Sequence, residues 1–430
     1  MYVRKIPTNL LLLRVGMGAT TFFPSKGIES AGPLEVLNTN ISLKVICDVK
    51  NKDKVASLLG KIRKELCDVF KIKIEEETEE IVEGSMIEKI KDLAHKDTRQ
   101  PEAKRPIYLV ITEKEPKDDP GATYYKIKEE LLSNNILSQV VTTDTLDDPR
   151  KMSEMTTFRN IALGIFVKAD NTPWYLQMPV TLSGRSEETL IVGVGITSLR
   201  KSIFSKETHR YVGYFSFYNS RGVWKRLTPL FSSIEEIQKK IQRSLSEGIE
   251  RTVSKEVSEL DVIIHYAGKE VKKDEEEIIH DTLVQHAEGK GIKVNYAIVR
   301  LIKSPVYRLF SNHEYGYAPM GAYVDFENNL VLINTTGLLG RNTTPMGVNT
   351  PILASIRKTN LEVNPNLVHN VVYSIIGLAR MNWRGVSAFN FEPATTKYAR
   401  EIAYTMAHLG EKIYQNESTL RFLQDKMWFI

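Results

Sequence analysis

The feature that most constrains the fold is a change in the order of elements partway along the chain. Between residues 41 and 170, strand-like and helix-like segments alternate. Strands are expected at 41–49 (ISLKVICDV), 105–113 (RPIYLVITE) and 138–144 (SQVVTTD), with a weaker one at 71–75. Helical patterns occupy 52–70, 85–96, 123–135 and 151–168. Alternation of this kind predicts a parallel sheet with helices on both faces. From residue 188 the order differs. Three strands come consecutively, at 188–197, 209–219 and 222–231. A long amphipathic helix follows at 233–252, then a strand at 260–267, a helix at 273–288 and a strand at 294–303. Two more long helices are expected at 365–382 and 395–415. The first forty residues read as strands and turns able to join the edge of the second sheet.

Composition sets the outer bounds. At about 150 residues per domain, 430 residues make two or three domains. The apolar fraction of 42% and the charged fraction of 26% are those of folded domains, which excludes disorder, collagen or a disulfide scaffold for the bulk of the chain. A net charge of +5 permits a nucleic-acid partner without arguing for one. The two cysteines, Cys47 and Cys67, form no CxxC pair and read as small buried apolar side chains. The acidic run Glu75–Glu80 reads as a solvated edge or loop. The apolar run at 9–13 is too short for a signal segment, and no stretch reaches the roughly 18 apolar residues that span a bilayer. A cytoplasmic protein without membrane contact is expected.

Strand-strand-strand-helix-strand-helix-strand is the order of a ribonuclease H-like sheet. Several short pieces sharpen that reading: Tyr124-Tyr125-Lys126-Ile127-Lys128, Ser138-Gln139, Asn160 through Trp174 (NIALGIFVKADNTPW), Ile191 through Thr197 (IVGVGIT), Met381-Asn382-Trp383-Arg384-Gly385, and the aromatic end Trp428-Phe429-Ile430. Taken in this order, they make the chain resemble the short prokaryotic Argonautes, which consist of MID and PIWI domains only. The resemblance covers nearly the whole chain. It implies an α/β protein with N-terminal strands at 1–37 packing on PIWI, a MID domain with a Rossmann-like parallel sheet at 38–170, and a PIWI domain with a ribonuclease H-like mixed sheet at 171–430. The length leaves no room for the N and PAZ domains of long Argonautes.

The residues themselves suggest an anion site. Tyr124 and Lys128 are four apart on a predicted helix and share a face. A phosphate requires cations and donors that converge on its oxygens. Lys128 and Lys168 would supply charge, and Tyr124 and Gln139 neutral donors. Taken singly, the tyrosine reads as a half-buried core aromatic and the lysines as solvated surface. In the family that the chain resembles, the matching residues hold the 5′-phosphate of a guide strand, with the Tyr ring stacked on its first base. Arg384 resembles a PIWI position that contacts the guide backbone; a structural ion pair is the alternative. An apolar end such as Trp428-Phe429-Ile430 is suited to burial, and a buried carboxylate needs a partner. The resemblance implies that the Ile430 carboxylate reaches the pocket and, together with guide phosphates, coordinates a divalent cation such as Mg²⁺. Some relatives place an amide near position 164, which is Gly164 here.

A nuclease of the ribonuclease H type uses two metal ions about 3.5–4 Å apart, held by converging carboxylates. The family places one Asp where Gly195 stands and a second where Ala267 stands, and it places a His or Asp at the position of Arg400. Glycine and alanine offer no ligand, and a guanidinium repels a metal. Loss of cleavage is therefore expected, with Arg400 either contacting a phosphate of the bound duplex or lying on the surface. Asp261 lies too far along its strand to substitute, and Glu275, Glu276 and Glu277 open a helix, where carboxylates suit the dipole. Gly193-x-Gly195 lacks the third glycine of a dinucleotide fingerprint and reads as close packing. His265 reads as structural. The loop Gly337–Gly347, with Arg341, suits either a phosphate strand or a bare surface.

The expected function is that of a guide-dependent nucleic-acid-binding protein. It would hold a 5′-phosphorylated guide, more readily RNA than DNA, pair it with a complementary DNA or RNA target without cutting, and signal to a separate effector or PAZ-like partner in prokaryotic defence. An active guide-directed endonuclease and a scaffold that binds only protein are the rival readings.

Overall fold

The computed structural model describes residues 2–430 except 117–118, 120, 201–207, 233–236, 268–272, 304, 312–315, 317, 338–349, 410–412 and 414–415. The loop from Gly337 to Gly347, with Arg341, thus lies outside the described residues but for its first glycine. In chain order the strands of four or more residues are β1 (Tyr2–Lys5), β2 (Asn40–Asp48), β3 (Lys73–Val82), β4 (Ile107–Thr112), β5 (Ser138–Thr142), β6 (Glu188–Arg200), β7 (Thr208–Asn219), β8 (Trp224–Ser232), β9 (Glu259–Ala267), β10 (Lys293–Ile302), β11 (Ala322–Asp325), β12 (Leu330–Ile333) and β13 (Ile352–Thr359). The longer helices are α1 (Lys52–Lys64), α2 (Met86–Asp97), α3 (Thr123–Ser133), α4 (Met155–Lys168), α5 (Ile237–Thr252), α6 (Lys273–Lys290), α7 (Pro365–Arg380), α8 (Ala394–His408) and α9 (Glu417–Asp425). None of the described helices is long and apolar enough to cross a membrane.

The contacts divide the chain into two compact units. One comprises Arg14–Trp174, Trp383–Ser387 and His408–Ile430; the other comprises Met1–Leu13, Tyr175–Asn382 and Ala388–Ala407. These units do not follow divisions at 37/38 and 170/171. Only β1 of the N-terminal segment joins the larger sheet, and the segment from Arg14 onward groups with the first sheet. The chain end also groups with the first sheet, because Trp428, Phe429 and Ile430 are buried there.

In the first unit a four-stranded sheet runs β3-β2-β4-β5 with every neighbour parallel. All six residues of β4 are buried, as a strand covered on both faces requires. Val110 and Tyr108 pack with Ile90, Leu93, Ile127 and Leu131 of α2 and α3. The acidic run forms most of edge strand β3, which is longer than the weak strand expected at 71–75. Glutamates mask the alternation there, and they also charge an edge that would otherwise invite strand addition. Arg63 pairs with Glu77 and Lys89 with Glu80. Helix α1 gives way to a π turn at Glu65–Val69, where Glu65 is buried against Arg159 at 2.7 Å. The cysteine reading needs one correction: Cys47 is buried, but Cys67 is exposed on that π turn.

The second unit is built on a nine-stranded mixed sheet in the order β1-β11-β12-β13-β10-β9-β6-β7-β8. Strands β6, β7 and β8 pair antiparallel, and β9 lies parallel to both β6 and β10. This realises the order expected from the sequence. Leu190, Val192 and Val194 alternate into a core with Ile241, Leu245 and Ile249 of α5 and Ile279 and Leu283 of α6. Each such fully buried side chain contributes about 1.5–3 kcal/mol. Three strands, β11 to β13, have no counterpart in the sequence reading. Two of them hold four residues each, too few to show a period.

Candidate functional site

The first unit brings together every residue of the expected phosphate site. Helix α3 begins just before Tyr124, and Lys128 follows one turn later, so both side chains lie on one face. The Lys128 ammonium lies 6.0 Å from the centre of the Tyr124 ring, which is half-buried. Lys128 itself is buried and donates to the main-chain oxygens of Ser138 at 2.9 Å and Trp428 at 3.3 Å. The partner from the chain end lies 300 residues away; the resemblance implied that this end reaches the pocket, but not that Trp428 would meet Lys128.

Lys168 is the last residue of α4, a helix whose residues from Ile161 onward are all buried. Its ammonium donates to Oε1 of Gln139 at 2.8 Å and to the main-chain oxygen of Ile430. Gln139 lies at the start of β5. Gly164 makes room for it, since a Cβ at position 164 would come within 2.5 Å of the Gln139 amide oxygen. The missing side chain at 164 is thus a steric condition for Gln139's place. Arg384 completes the cluster by donating to the main-chain oxygen of Phe429. Its segment is held by Asn160, whose Oδ1 accepts from Val386 N at 2.9 Å. Asn160 was visible only as part of a motif, without this role. The same end segment is pinned by Lys426, which pairs with Asp170, and by Asn416, which caps α9.

Two ammonium groups and a guanidinium therefore converge on main-chain oxygens at the chain end. Neither Lys128 nor Lys168 pairs with an Asp or Glu side chain among the described residues. Burial pushes Lys128 down to about 7, and the nearby Arg384 charge pushes the same way. Burial also holds Lys168 well below its ordinary value, with Lys128 and Arg384 adding to it. The buried Ser138 Oγ and Trp428 Nε1 have no hydrogen-bond partner among the described residues. The arrangement is rich in donors and, apart from the Ile430 oxygen on Lys168, no Asp or Glu among the described residues pairs with the two lysines, which suits an anion with several oxygens.

In the second unit the three expected carboxylate positions also converge. Gly195 of β6 lies opposite Ala267 of β9 in parallel register. A Cβ on Gly195 would come within 2.5 Å of the Arg400 backbone nitrogen and closer still to the backbone of Ala399. Helix α8 thus lies directly on Gly193 and Gly195, and this close approach is the role of the Gly-x-Gly pair. The alternative acids are engaged elsewhere. Asp261 is fully buried and accepts from Leu182 N, Ser183 N and Asn295 Nδ2 at 2.7, 2.8 and 3.0 Å. Glu275 accepts from Tyr266, Glu276 pairs with Arg357, and Glu277 pairs with Lys358. Arg400 pairs with Glu392 at 3.0 Å. His265 is wholly buried between Thr395 and Ser374, each at 2.9 Å, and burial lowers it to about 3, as befits a structural residue. No group of three or more His, Cys, Asp or Glu among the described residues could hold a metal ion.

Comparison with known proteins places these sites in context. The family model described as the Piwi domain matches residues 107–410. A Piwi protein of Archaeoglobus fulgidus is 24% identical over 461 residues, covering 99% of each chain. Among solved structures, Drosophila Piwi is similar with a TM-score of 0.74 and 14% identity over 100% of this chain. Clostridium butyricum Argonaute, solved with a guide DNA and a 19-mer target DNA, has a TM-score of 0.68 and 16% identity over 95% of this chain. This chain spans 56% and 53% of those two, just over half of each.

Proposed function

The chain belongs to the Piwi domain family, and from that premise we propose that it binds a short nucleic-acid guide by its 5′-phosphate. The observation that carries this reading is the convergence of the buried Lys128 and Lys168, with the exposed Arg384 beside them; neither lysine pairs with an Asp or Glu side chain among the described residues. A terminal phosphate brings close to two negative charges and three acceptor oxygens. It would favour the charged form of both lysines and accept from them, while Tyr124 offers its ring to the first base. Base stacking of this kind is worth roughly 1–3 kcal/mol. The similar Argonaute with bound guide and target supports a nucleic-acid partner for this chain as well.

Mg²⁺ enters this proposal only as an ion shared with the strand. The Gln139 amide oxygen and the Ile430 oxygen suit a hard cation, but both now accept from Lys168. Two oxygens are too few to hold such an ion, so phosphate oxygens must complete the set. Bound there, the ion would neutralise phosphate charge.

We read the second unit as a duplex holder that does not cut. This rests on Gly195 and Ala267, which offer no ligand, and on the helix backbone that fills the space at Gly195. Specificity would then come from base pairing. Recognition without cutting would have to be reported through a separate effector protein. The deciding experiment is titration of matched short RNA and DNA strands bearing a 5′-phosphate or a 5′-hydroxyl. The phosphorylated strands are expected to bind at least about tenfold tighter, a difference of about 1.4 kcal/mol. Equal affinity would overturn the reading. Guide-directed cuts with Mg²⁺ or Mn²⁺ would overturn the non-cutting part alone.

A further inference from the structure

Two cations stand beside the carboxylate positions of the second unit. Lys303 follows the end of β10, and Arg400 lies on α8. Both reach the same acid: Lys303 Nζ lies 2.5 Å from Glu392 Oε1, and Arg400 Nη2 lies 3.0 Å from Oε2. Thr396 Oγ1 also donates to Oε1, at 3.1 Å. The Glu392 side chain is 9% exposed, whereas those of Lys303 and Arg400 are 28% and 48% exposed. The acid is therefore the buried brace, and both cations keep a face outward. On α6, Glu276 pairs with Arg357 and Glu277 with Lys358. Here one carboxylate serves two cations. A second acid, Glu401, also acts on Lys303, against the repulsion from Arg400.

The cluster adjoins the closed site. The Arg400 backbone nitrogen lies against Gly195, and Ala267 pairs with both Gly195 and Leu301, two residues before Lys303. We propose that Lys303 and Arg400, braced by Glu392, form a phosphodiester-binding site for the strand paired with the guide. The proposal rests on the guide-binding reading above. Fixed organic cations bind a phosphodiester by charge and hydrogen bonds, but they activate no water, so such a site holds a strand without cutting it.

The test measures binding of a guide alone and of the same guide annealed to its target, each across a series of salt concentrations. The variants are Lys303→Gln, Arg400→Gln and the double variant, with Arg400→Lys as the charge-preserving control. Each neutralising change is expected to lower the salt slope for the duplex by about 0.7–0.9, the value for one lost phosphate contact. The double variant is expected to bind the duplex more than tenfold more weakly, with affinity for the guide alone unchanged and Arg400→Lys keeping the wild-type slope. A double variant that melts as the wild type does and keeps its duplex slope would overturn the proposal. So would an equal loss for the guide alone. Absence of a 5′-phosphate preference in the wild type would sink the guide reading instead, and the duplex slopes would still decide this site.

Discussion

Raising the pH through 7 discharges Lys128 in the free protein, and that perturbation separates phosphate binding from general attraction to nucleic acid. Burial and Arg384 hold this ammonium at about 7, against an ordinary 10.5. At about 1.36 kcal/mol per pH unit, the charged form is disfavoured by on the order of 5 kcal/mol. A phosphate dianion about 4 Å away returns more than that. One pair of unit charges at that distance is worth about 4 kcal/mol at an effective dielectric constant near 20, and a dianion about twice as much. On the proposed binding, Lys128 is expected to be neutral in the free protein at pH 8.5 and charged in the complex, so that binding takes up a proton. The phosphate itself titrates near pH 6, well below this window.

Affinity for the 5′-phosphorylated strand should therefore fall by about tenfold per pH unit from about pH 7.5 to 9.5. The 5′-hydroxyl strand should show no such slope. Anisotropy titrations at constant ionic strength measure both, and calorimetry in buffers of different ionisation enthalpy counts the protons directly. Parallel pH slopes for the two strands would refute the reasoning. Stability should move the other way. Because the folded-state value lies below the unfolded one, the unfolded chain binds more protons between about pH 7 and 10.5. The burial penalty is fully present below pH 7 and is lost as pH rises, so this group makes the free protein more stable at pH 9 than at pH 7.

Four further outcomes are open to direct measurement. Gly195→Ala should destabilise the protein by at least about 1–3 kcal/mol in thermal melts, because its Cβ meets helix backbone rather than a side chain that can turn away. For the same reason, Gly195→Asp combined with Ala267→Asp should not yield a guide-directed nuclease. Gly164→Asn should displace Gln139 from Lys168 and weaken binding of the phosphorylated strand several-fold more than that of the hydroxylated one. Arg159→Ala should cost about 3–5 kcal/mol, since it leaves the Glu65 carboxylate, 2% exposed, without its buried partner.

What the sequence determined by itself was whatever depends on neighbours along the chain. The alternation at 41–170 set the parallel sheet, and the consecutive strands from 188 set the mixed one, because period and connection length are local properties. Tyr124 and Lys128 shared a face because they are four apart on a helix. The four-residue strands β11 and β12 and the glutamate-masked β3 were hidden or blurred, since too few apolar positions marked them; β13, eight residues long, went unread although its burial alternates.

Only tertiary structure decided the company each residue keeps. It placed the main-chain oxygens of Trp428 and Ile430 on Lys128 and Lys168, which turned two ordinary lysines into buried ones with lowered proton affinity. It grouped the chain end and residues 14–37 with the first sheet, set the Gly164 gap around Gln139, and laid α8 on Gly195. The physical reason is the same in each case: desolvation and close packing depend on what covers a group in space, and residues hundreds of positions apart supply that cover.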